Sequence, residues 1–210
     1  MPAGASFEAA AAVPMAAFTA LQALRDKAGV TPGKRVLVNG AGGGVGTFAV
    51  QLAKHLGGHV TGVTGPATVE LVRSIGADEV IDYRREDFTK RPERWDVILD
   101  IAATPSMLAL RRALAPGGVL VVVGAPAGNW FAPIRRPLLA VLLTRIGGRG
   151  RRLLPFLAER RRSDLVILKD LIESGAVTPV VDRCYPLEET AEAMRRVERG
   201  EAQGKVVIQV

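Results

Sequence analysis

The sequence predicts an α/β protein built on a doubly wound parallel sheet. Short apolar runs, typical of buried parallel strands, alternate with amphipathic helical segments between residues 35 and 123. A glycine-rich stretch joins the first of these strands to a helix. Hydrophobic residues make up 48% of the 210 residues and aromatic residues only 5%. This composition predicts a sizeable aliphatic core and argues against a disordered chain.

The elements follow one another along the chain. A helix is predicted to end near Lys27, after which Pro32 and Gly33 break the chain. Gly57-Gly58, Gly76 and Gly175 mark the ends of later helices. The predicted strands are Arg35–Val38, His59–Val63, Glu79–Ile81, Asp96–Asp100, Val119–Val123 and Lys205–Val210. The predicted helices after the break are Thr47–Leu56, Val69–Ile75, Ser106–Leu114, Asp164–Glu173 and Leu187–Val197.

The positive charge of the chain is concentrated in one segment. The formal net charge is +7, and residues 135–162 contain nine arginines and a single acid, Glu159. A solvated surface is the simpler interpretation, because few aromatic residues interleave the arginines. The alternative is a basic surface, Arg135–Arg162, that binds nucleic acid. The apolar run Leu138–Leu143 within it is too short to span a bilayer.

Cysteine and histidine are scarce. The single cysteine, Cys184, excludes a disulfide within the chain, and with His55 and His59 it cannot complete a closed zinc site. No basic residue precedes Arg25 in the alanine-rich start, so we expect no signal peptide. We therefore expect a soluble, cytoplasmic protein without a metal.

The stretch from Asn39 to Gly46 carries the clearest chemical signal. It follows a strand and opens a helix, where unpaired backbone N–H groups and the helix dipole favour a pyrophosphate. Its spacing is Ala41-x-Gly43-x-x-Gly46, with alanine at the first glycine position of the dinucleotide-binding fingerprint. This pattern predicts a Rossmann fold that binds a dinucleotide.

The end of the second strand indicates which dinucleotide. An NAD site normally has an acid here to bind the ribose 2′-hydroxyl, but Val63–Thr68 contains none. The absence favours NADPH, with NADH left open because the stretch has no base either. Thr64, Thr68 and Tyr83 offer only neutral hydrogen bonds, and Arg73 or Arg84 would have to reach the 2′-phosphate.

Several motifs occur together in one known family pattern. They are Ala11–Pro14, Phe18–Leu24, Gly40–Gly46, Gly76–Tyr83, Leu114–Gly118 and Gly204–Ile208. In combination they resemble the zinc-free quinone oxidoreductase branch of the medium-chain dehydrogenase/reductase superfamily, over nearly the whole chain. The loop after Asp100 departs from the pattern, since Ile101–Thr104 replaces the usual Val-Gly-Gly.

The resemblance implies a set of cofactor-binding residues. Gly43, Gly44 and Val45 would hold the pyrophosphate, and Thr64 and Tyr83 would lie near the adenosine ribose. The nicotinamide would be approached from Thr19, from the loop after Asp100 and from Gly124-Ala125. The complete set is Thr19, Gly40, Ala41, Gly42, Gly43, Gly44, Val45, Gly46, Thr64, Tyr83, Gly124 and Ala125.

The resemblance also implies the activity, which is hydride transfer from NAD(P)H to a quinone, enone or carbonyl carbon. No general acid is assigned, because Tyr83 and Tyr185 are candidates by residue type only. The two alternatives are a catalytically inactive module that binds cofactor or oligomerises, and the nucleic-acid binder described above.

Domain organisation follows from the same resemblance. We expect a Rossmann domain over residues 1–176 and a tail over 177–210 that in relatives packs on an N-terminal GroES-like domain. The chain then corresponds to a truncated or split enzyme, and the edge of its final β-branched strand would be unpaired. The expected partners are a second copy of the chain, paired through an edge strand at Arg152–Leu157, or a separate GroES-like chain.

Overall fold

The structure is a computed structural model that describes residues 2, 4–123, 139–140, 142–144 and 150–210. The first helices are α1 (Phe7–Ala12) and α2 (Pro14–Gln22), and a π-helical turn, Ala23–Ala28, extends α2. Ser6 caps α1 by accepting a hydrogen bond from the Ala9 N–H. Gly29, at φ 61°, ends the π turn.

The main sheet has six strands in the described part of the chain, in the order β3-β2-β1-β4-β5-β6. Every neighbouring pair is parallel. The strands are β1 (Arg35–Asn39), β2 (His59–Thr64), β3 (Glu79–Asp82), β4 (Trp95–Asp100), β5 (Leu114–Val122) and β6 (Arg152–Pro155). The predicted doubly wound Rossmann sheet is thus confirmed.

Helices cover both faces of this sheet. They are α3 (Gly46–His55), α4 (Val69–Ser74), α5 (Met107–Ala113) and α6 (Arg162–Glu173), with short 3₁₀ turns at Pro66–Thr68 and Phe88–Lys90. Because side chains alternate along a strand, Val36 of β1 joins the core under α2 and α3, while Leu37 joins the core under α5. The two core layers hold the carboxyl ends of the strands in fixed positions.

Strand β5 begins earlier than the sequence predicts. Helix α5 ends at Ala113, and Leu114 already pairs with Trp95 before a register shift. Gly118 lies in this irregular stretch, where a Cβ would come within 3.1 Å of the Trp95 and Asp96 carbonyls. Pro116 and the two glycines therefore lie within a bulged strand and not in a loop before it.

The tail folds into a separate pair of parallel strands, β7 (Val181–Pro186) and β8 (Lys205–Gln209). A 3₁₀ turn, Leu187–Glu189, and helix α7 (Thr190–Glu198) connect them. The final strand therefore has β7 beside one edge, and within the described residues no strand pairs with its other edge. Strand β7 was not anticipated, because its sequence Val-Asp-Arg-Cys-Tyr-Pro is too polar for a buried parallel strand.

Strand β6 lies at one edge of the main sheet and contains Pro155, which agrees with the predicted edge strand. Pairing of a second copy along this edge stays a prediction. No helix within the described residues is long and apolar enough to cross a membrane.

Candidate functional site

A groove of about 1650 Å³ opens at the carboxyl ends of the strands. It crosses the point where β1 and β4 are neighbours and the chain reverses its direction of winding. In open α/β sheets this switch point is where ligands bind. The groove is bounded by the loop after β1, by the ends of β2 and β3, by the loop after β4 and by part of the tail.

The loop after β1 is a tight turn that only glycine permits. Gly40 has φ 94°, and the N–H groups of Gly40 and Ala41 both donate to the Val63 carbonyl at 3.0 Å. A Cβ on Gly46 would lie 2.0 Å from the Gly40 carbonyl oxygen. Ala41 and Gly46 thus support the turn from beneath, whereas Gly40, Gly42, Gly43, Gly44 and Val45 line the groove.

The rim of this turn presents backbone donors to the groove. The Gly43 N–H donates to Gly40 at 3.2 Å, but no acceptor among the described residues is found for the N–H groups of Gly44 and Val45. Both precede helix α3, so the helix dipole adds partial positive charge at the same place. The rim can therefore bind an anionic group such as a phosphate.

Two threonines lie directly beneath the loop. The Thr64 and Thr68 hydroxyls are hydrogen-bonded to each other, and a Cβ on Gly42 would be 2.7 Å from the Thr64 hydroxyl and 2.4 Å from the Thr68 hydroxyl. Thr64 is 5% exposed, yet it lines the groove. Glycine at position 42 therefore lets the loop rest on the end of β2.

The end of the groove near β3 carries Tyr83 and Arg84. Tyr83 is 59% exposed and its ring lies beside Gly65, where a Cβ would be 3.3 Å from the ring. Arg84 lines the groove, and no carboxylate of the described residues forms an ion pair with it. Arg73 instead pairs with Glu70 and does not contribute to the described lining.

Two acids, Glu86 and Asp87, also line this end, but each is already engaged. Glu86 pairs with Arg91 at 2.5 Å, and Asp87 accepts hydrogen bonds from the Thr89 hydroxyl and N–H. The bond from Arg91 keeps the pKa of Glu86 below its usual value, and the bonds from Thr89 do the same for the pKa of Asp87. Both therefore stay ionised, with their charge directed to protein partners.

The loop after β4 is held by a buried polar pair. The Asn39 amide donates to Asp100 at 2.8 Å, and the Ala103 N–H donates to the same carboxylate oxygen at 3.2 Å. Ala103 adopts φ 56°, which among the described residues no other non-glycine matches. This is the stretch where the sequence lacks the family's glycines, so an alanine here takes a left-handed conformation.

Three described residues of the predicted set do not line the groove, namely Ala41 and Gly46, which lie beneath the turn, and Thr19. Thr19 is buried in α2 and its hydroxyl donates to the Met15 carbonyl at 2.7 Å. Its contact with nicotinamide stays a prediction. Gly124 and Ala125 lie outside the described residues.

One wall of the groove was not predicted from the sequence. Residues 199–206, the tail wall, line the groove next to the glycine loop. The Gly204 N–H donates to the Gly42 carbonyl at 3.0 Å, and Gly43 and Gly204 form a parallel bridge. The signal in the sequence was the Gly204-Lys205 pair, which contributed to the family resemblance without indicating a position.

Other candidate residues lie away from the groove. His55 and His59 are exposed at the opposite end of the sheet. Tyr185 is buried, with the Arg183 guanidinium 4.9 Å from its ring centre, in agreement with a packing role. Cys184 is partly buried in β7. Within the described residues no cluster of three or more His, Cys, Asp or Glu could hold a metal ion.

The arginine segment is only partly visible. Arg135, Arg136, Arg145 and Arg149 lie outside the described residues, as do Leu138 and Val141 of the Leu138–Leu143 run. Arg161 pairs with Glu159 and Asp26. Nucleic-acid binding through Arg135–Arg162 stays a prediction.

Comparison with known proteins identifies relatives over the whole chain. Residues 75–208 match the zinc-binding dehydrogenase family. The chain is 32% identical to the chloroplast envelope quinone oxidoreductase homolog of Arabidopsis thaliana, over 95% of this chain and 61% of that protein. It is 34% identical to the mitochondrial NAD(P)H oxidoreductase RTN4IP1 of Mus musculus, over 96% of this chain and 55% of that protein.

A solved structure agrees with these relatives. The quinone oxidoreductase from Coxiella burnetii superimposes with a TM-score of 0.85 and 28% identity, over 98% of this chain and 62% of that one. The chain therefore spans less than two thirds of the length of each of these three proteins.

Proposed function

Because the chain belongs to the zinc-binding dehydrogenase family and is similar to its quinone oxidoreductases, we propose that it is the cofactor domain of an NAD(P)H-dependent oxidoreductase. The activity is hydride transfer to a quinone, enone or carbonyl carbon. The nicotinamide supplies the hydride when bound, and the protein binds and orients it. The nearly full coverage of this chain by named oxidoreductases supports the proposal.

The observation that carries the proposal is the fit of the glycine loop to a pyrophosphate. The turn brings Gly46 against Gly40, so close that a Cβ would lie 2.0 Å from a carbonyl oxygen. Gly44 and Val45 line the groove at the start of α3, and their N–H groups have no acceptor among the described residues. A dinucleotide laid across the switch point would place its pyrophosphate on these donors.

The ribose end supports NADPH over NADH. The stretch Val63–Thr68 at the end of β2 contains no acid, and the two acids that line this end of the groove, Glu86 and Asp87, are bound to protein partners. Arg84 lines the groove without an ion pair among the described residues, so its guanidinium can bind a 2′-phosphate. Tyr83 would lie beside the adenosine ribose. NADPH is thus the proposed cofactor, with NADH the weaker ligand.

The family is named for zinc binding, but within the described residues no group of three or more His, Cys, Asp or Glu could hold a metal ion. No step is therefore assigned to a metal. The proposed substrate is a small quinone, enone or aldehyde, and no residue is assigned as the general acid. A second copy of the chain or a GroES-like chain is the proposed partner, and cytoplasmic location stays a prediction.

A calorimetric titration of the chain with NADPH and with NADH tests this function. Binding of NADPH more tightly than NADH is the expected result. Loss of reduced-nicotinamide absorbance on adding a quinone would then establish turnover. Binding without turnover would favour the inactive cofactor-binding module, and binding of neither nucleotide would contradict the proposal.

A further inference from the structure

We propose that Asp100 is a positioning residue, which fixes the loop after β4 against the glycine loop and so sets the width of the groove at the switch point. The inference rests on the proposed function and deepens it, because the same groove takes the dinucleotide. Asp100 is completely buried and is not among the described residues that line the groove. Any effect that it has on a ligand therefore passes through the residues that it holds.

Asp100 lies where the two halves of the sheet meet. It is the last residue of β4 and is paired in register with Asn39, the last residue of β1. The Asn39 side-chain amide donates to Asp100 Oδ1 at 2.8 Å. The Asn39 carbonyl accepts from the N–H groups of Ile101 and Ala102 at 3.0 and 3.2 Å. The loop after β4 is thus attached to the residue that precedes the glycine loop.

The same oxygen of Asp100 holds the next turn of the loop. It accepts a hydrogen bond from the Ala103 N–H at 3.2 Å, and Ala103 has φ 56°. A left-handed conformation is unfavourable for alanine but not for glycine, and it persists only where the surroundings determine it. The bond to Asp100 is one of these determining contacts, so its removal would let the loop leave this conformation.

The loop held in this way packs on the glycine loop and lines the groove. A Cβ on Gly40 would lie 3.1 Å from the Ala102 nitrogen and 3.4 Å from the Ile101 Cβ. Ile101 and Ala102 both line the groove. Because the two loops touch at Gly40, a shift of the loop after β4 changes the space for a ligand that crosses the switch point. A wall that is fixed before binding lowers the ordering cost of binding.

A purely structural role makes a different prediction. Removal of Asp100 destabilises the fold in either case, because it leaves the buried Asn39 amide without this acceptor. If Asp100 only stabilises the sheet, folded Asp100→Ala would bind nucleotide as the wild type does. If Asp100 positions the loop, the folded variant would bind more weakly, and a second substitution that restores stability would not restore affinity.

The test is calorimetry on the whole chain with NADPH and with NADH, using Asp100→Ala, Asp100→Asn and Asp100→Ala/Ala103→Gly. We expect Asp100→Ala to bind both nucleotides about tenfold more weakly. Asp100→Asn keeps an oxygen for the two donors but loses the charge, so its affinity should be intermediate. In the double variant, glycine removes the cost of the left-handed turn. Its melting temperature should exceed that of Asp100→Ala by about 2 to 4 °C, while its affinity stays low.

Asp164→Ala is the matched control. Asp164 is 1% exposed and also accepts from two side-chain or backbone donors, here the Gln22 amide at 2.7 Å and the Arg25 guanidinium at 2.8 Å. Neither Asp164 nor these partners line the groove. We expect Asp164→Ala to lower the melting temperature and to leave nucleotide affinity unchanged. Hydrogen exchange at residues 101–103 should accelerate in Asp100→Ala and not in the control.

Each outcome decides between the two roles. Wild-type affinity in folded Asp100→Ala, an equal loss of affinity in Asp164→Ala, or recovery of affinity together with stability in the double variant would overturn the positioning role and leave the proposed function intact. If Asp100→Ala does not fold, Asp100→Asn is compared with Asp164→Asn by the same criteria. Failure of the wild-type chain to bind either nucleotide would overturn the proposed function and this inference together.

Discussion

The two walls of the groove are built in opposite ways. The glycine loop is local, because its donors, its turn and the helix that follows lie within Asn39–His55. The tail wall, residues 199–206, is distant in sequence and contacts the glycine loop through the Gly204–Gly42 hydrogen bond and the Gly43–Gly204 bridge. The geometry of the glycine loop is therefore encoded by a short sequence motif. The position of the tail wall depends on tertiary contacts, which no short motif encodes.

The largest effect on stability and binding is expected from a substitution in the glycine loop. In Gly46→Ala the new Cβ would lie 2.0 Å from the Gly40 carbonyl oxygen and 2.7 Å from the Ala41 backbone, and neither group can move without opening the turn. We expect a loss of about 3 kcal/mol in the free energy of unfolding and no measurable nucleotide binding. Chemical denaturation and calorimetry measure the two effects.

Gly43→Ala is the control for that substitution, because a Cβ at position 43 would meet only the Gly40 carbonyl, at 3.6 Å. Its stability should stay within about 0.5 kcal/mol of the wild type. Equal destabilisation by the two substitutions would contradict the argument from close packing.

The second largest effect is expected from a substitution in the tail wall. Gly204→Ala introduces a side chain at φ 106° and a Cβ 2.6 Å from the Val180 carbonyl oxygen. We expect β8 to separate from the glycine loop at a cost of about 2 kcal/mol. Hydrogen exchange should accelerate in Lys205–Gln209 while the main sheet stays protected, and nucleotide affinity should fall.

Gly200→Ala distinguishes the cost of backbone strain in the tail wall from the cost of losing the Gly204–Gly42 contact. Gly200 has φ 69°, and a Cβ there would meet nothing within 4 Å. Only the left-handed conformation is penalised, by about 1 kcal/mol, so nucleotide affinity should stay unchanged. Equal losses of nucleotide affinity in Gly200→Ala and Gly204→Ala would show that the contact of Gly204 with Gly42 does not matter for nucleotide binding.

The same difference explains how much the sequence could predict. The strands around the switch point, the glycine turn and the groove residues Thr64 and Tyr83 were predictable, because apolar runs and glycine spacing encode them locally. Strand β7 was missed since it pairs with β8 outside the main core and has a polar sequence. The early start of β5 was missed because Pro116-Gly117-Gly118 usually marks a loop and here forms a bulge. The tail wall was missed because its position depends on tertiary contacts.

A third prediction compares the two phosphate positions. Arg84 is exposed and lines the groove at the end of β3, whereas the glycine loop follows β1. In Arg84→Gln we expect NADPH to bind about five- to tenfold more weakly, which corresponds to about 1 to 1.4 kcal/mol for a charge-assisted bond partly screened by solvent. NADH affinity should not change. Arg73→Gln, whose guanidinium pairs with Glu70, is the control, and a loss of NADPH affinity there alone would move the assignment from Arg84 to Arg73.

The smallest effect concerns the pH dependence of the stability contributed by a contact near each wall. Asp78 accepts hydrogen bonds from the Lys54 ammonium at 2.8 Å and from the Val60 N–H at 2.7 Å, and so ties the end of α3 to the start of β2. Desolvation raises the pKa of Asp78, but the bonds from Lys54 and Val60 outweigh it, and the pKa lies below its usual value. On the tail side, Glu8 of α1 accepts from Gln209 of β8. Bonds from Ser6, from its own backbone and from Gln209 lower the pKa of Glu8 as well, but its hydrogen bond with Gln209 is exposed to solvent.

Because the folded pKa of Asp78 is below the unfolded value of about 3.9, its contribution is present above that pH and is lost as the pH falls through the folded pKa. The Asp78 side chain is 29% exposed, so we expect Asp78→Asn to lower the free energy of unfolding at neutral pH by about 0.5 to 1 kcal/mol. That difference should shrink on acidification below about pH 4. Glu8→Gln should leave the denaturation midpoint nearly unchanged at every pH. If Glu8→Gln proved the more destabilising of the two, the tail side and not the glycine-loop side would carry the acid-sensitive contact.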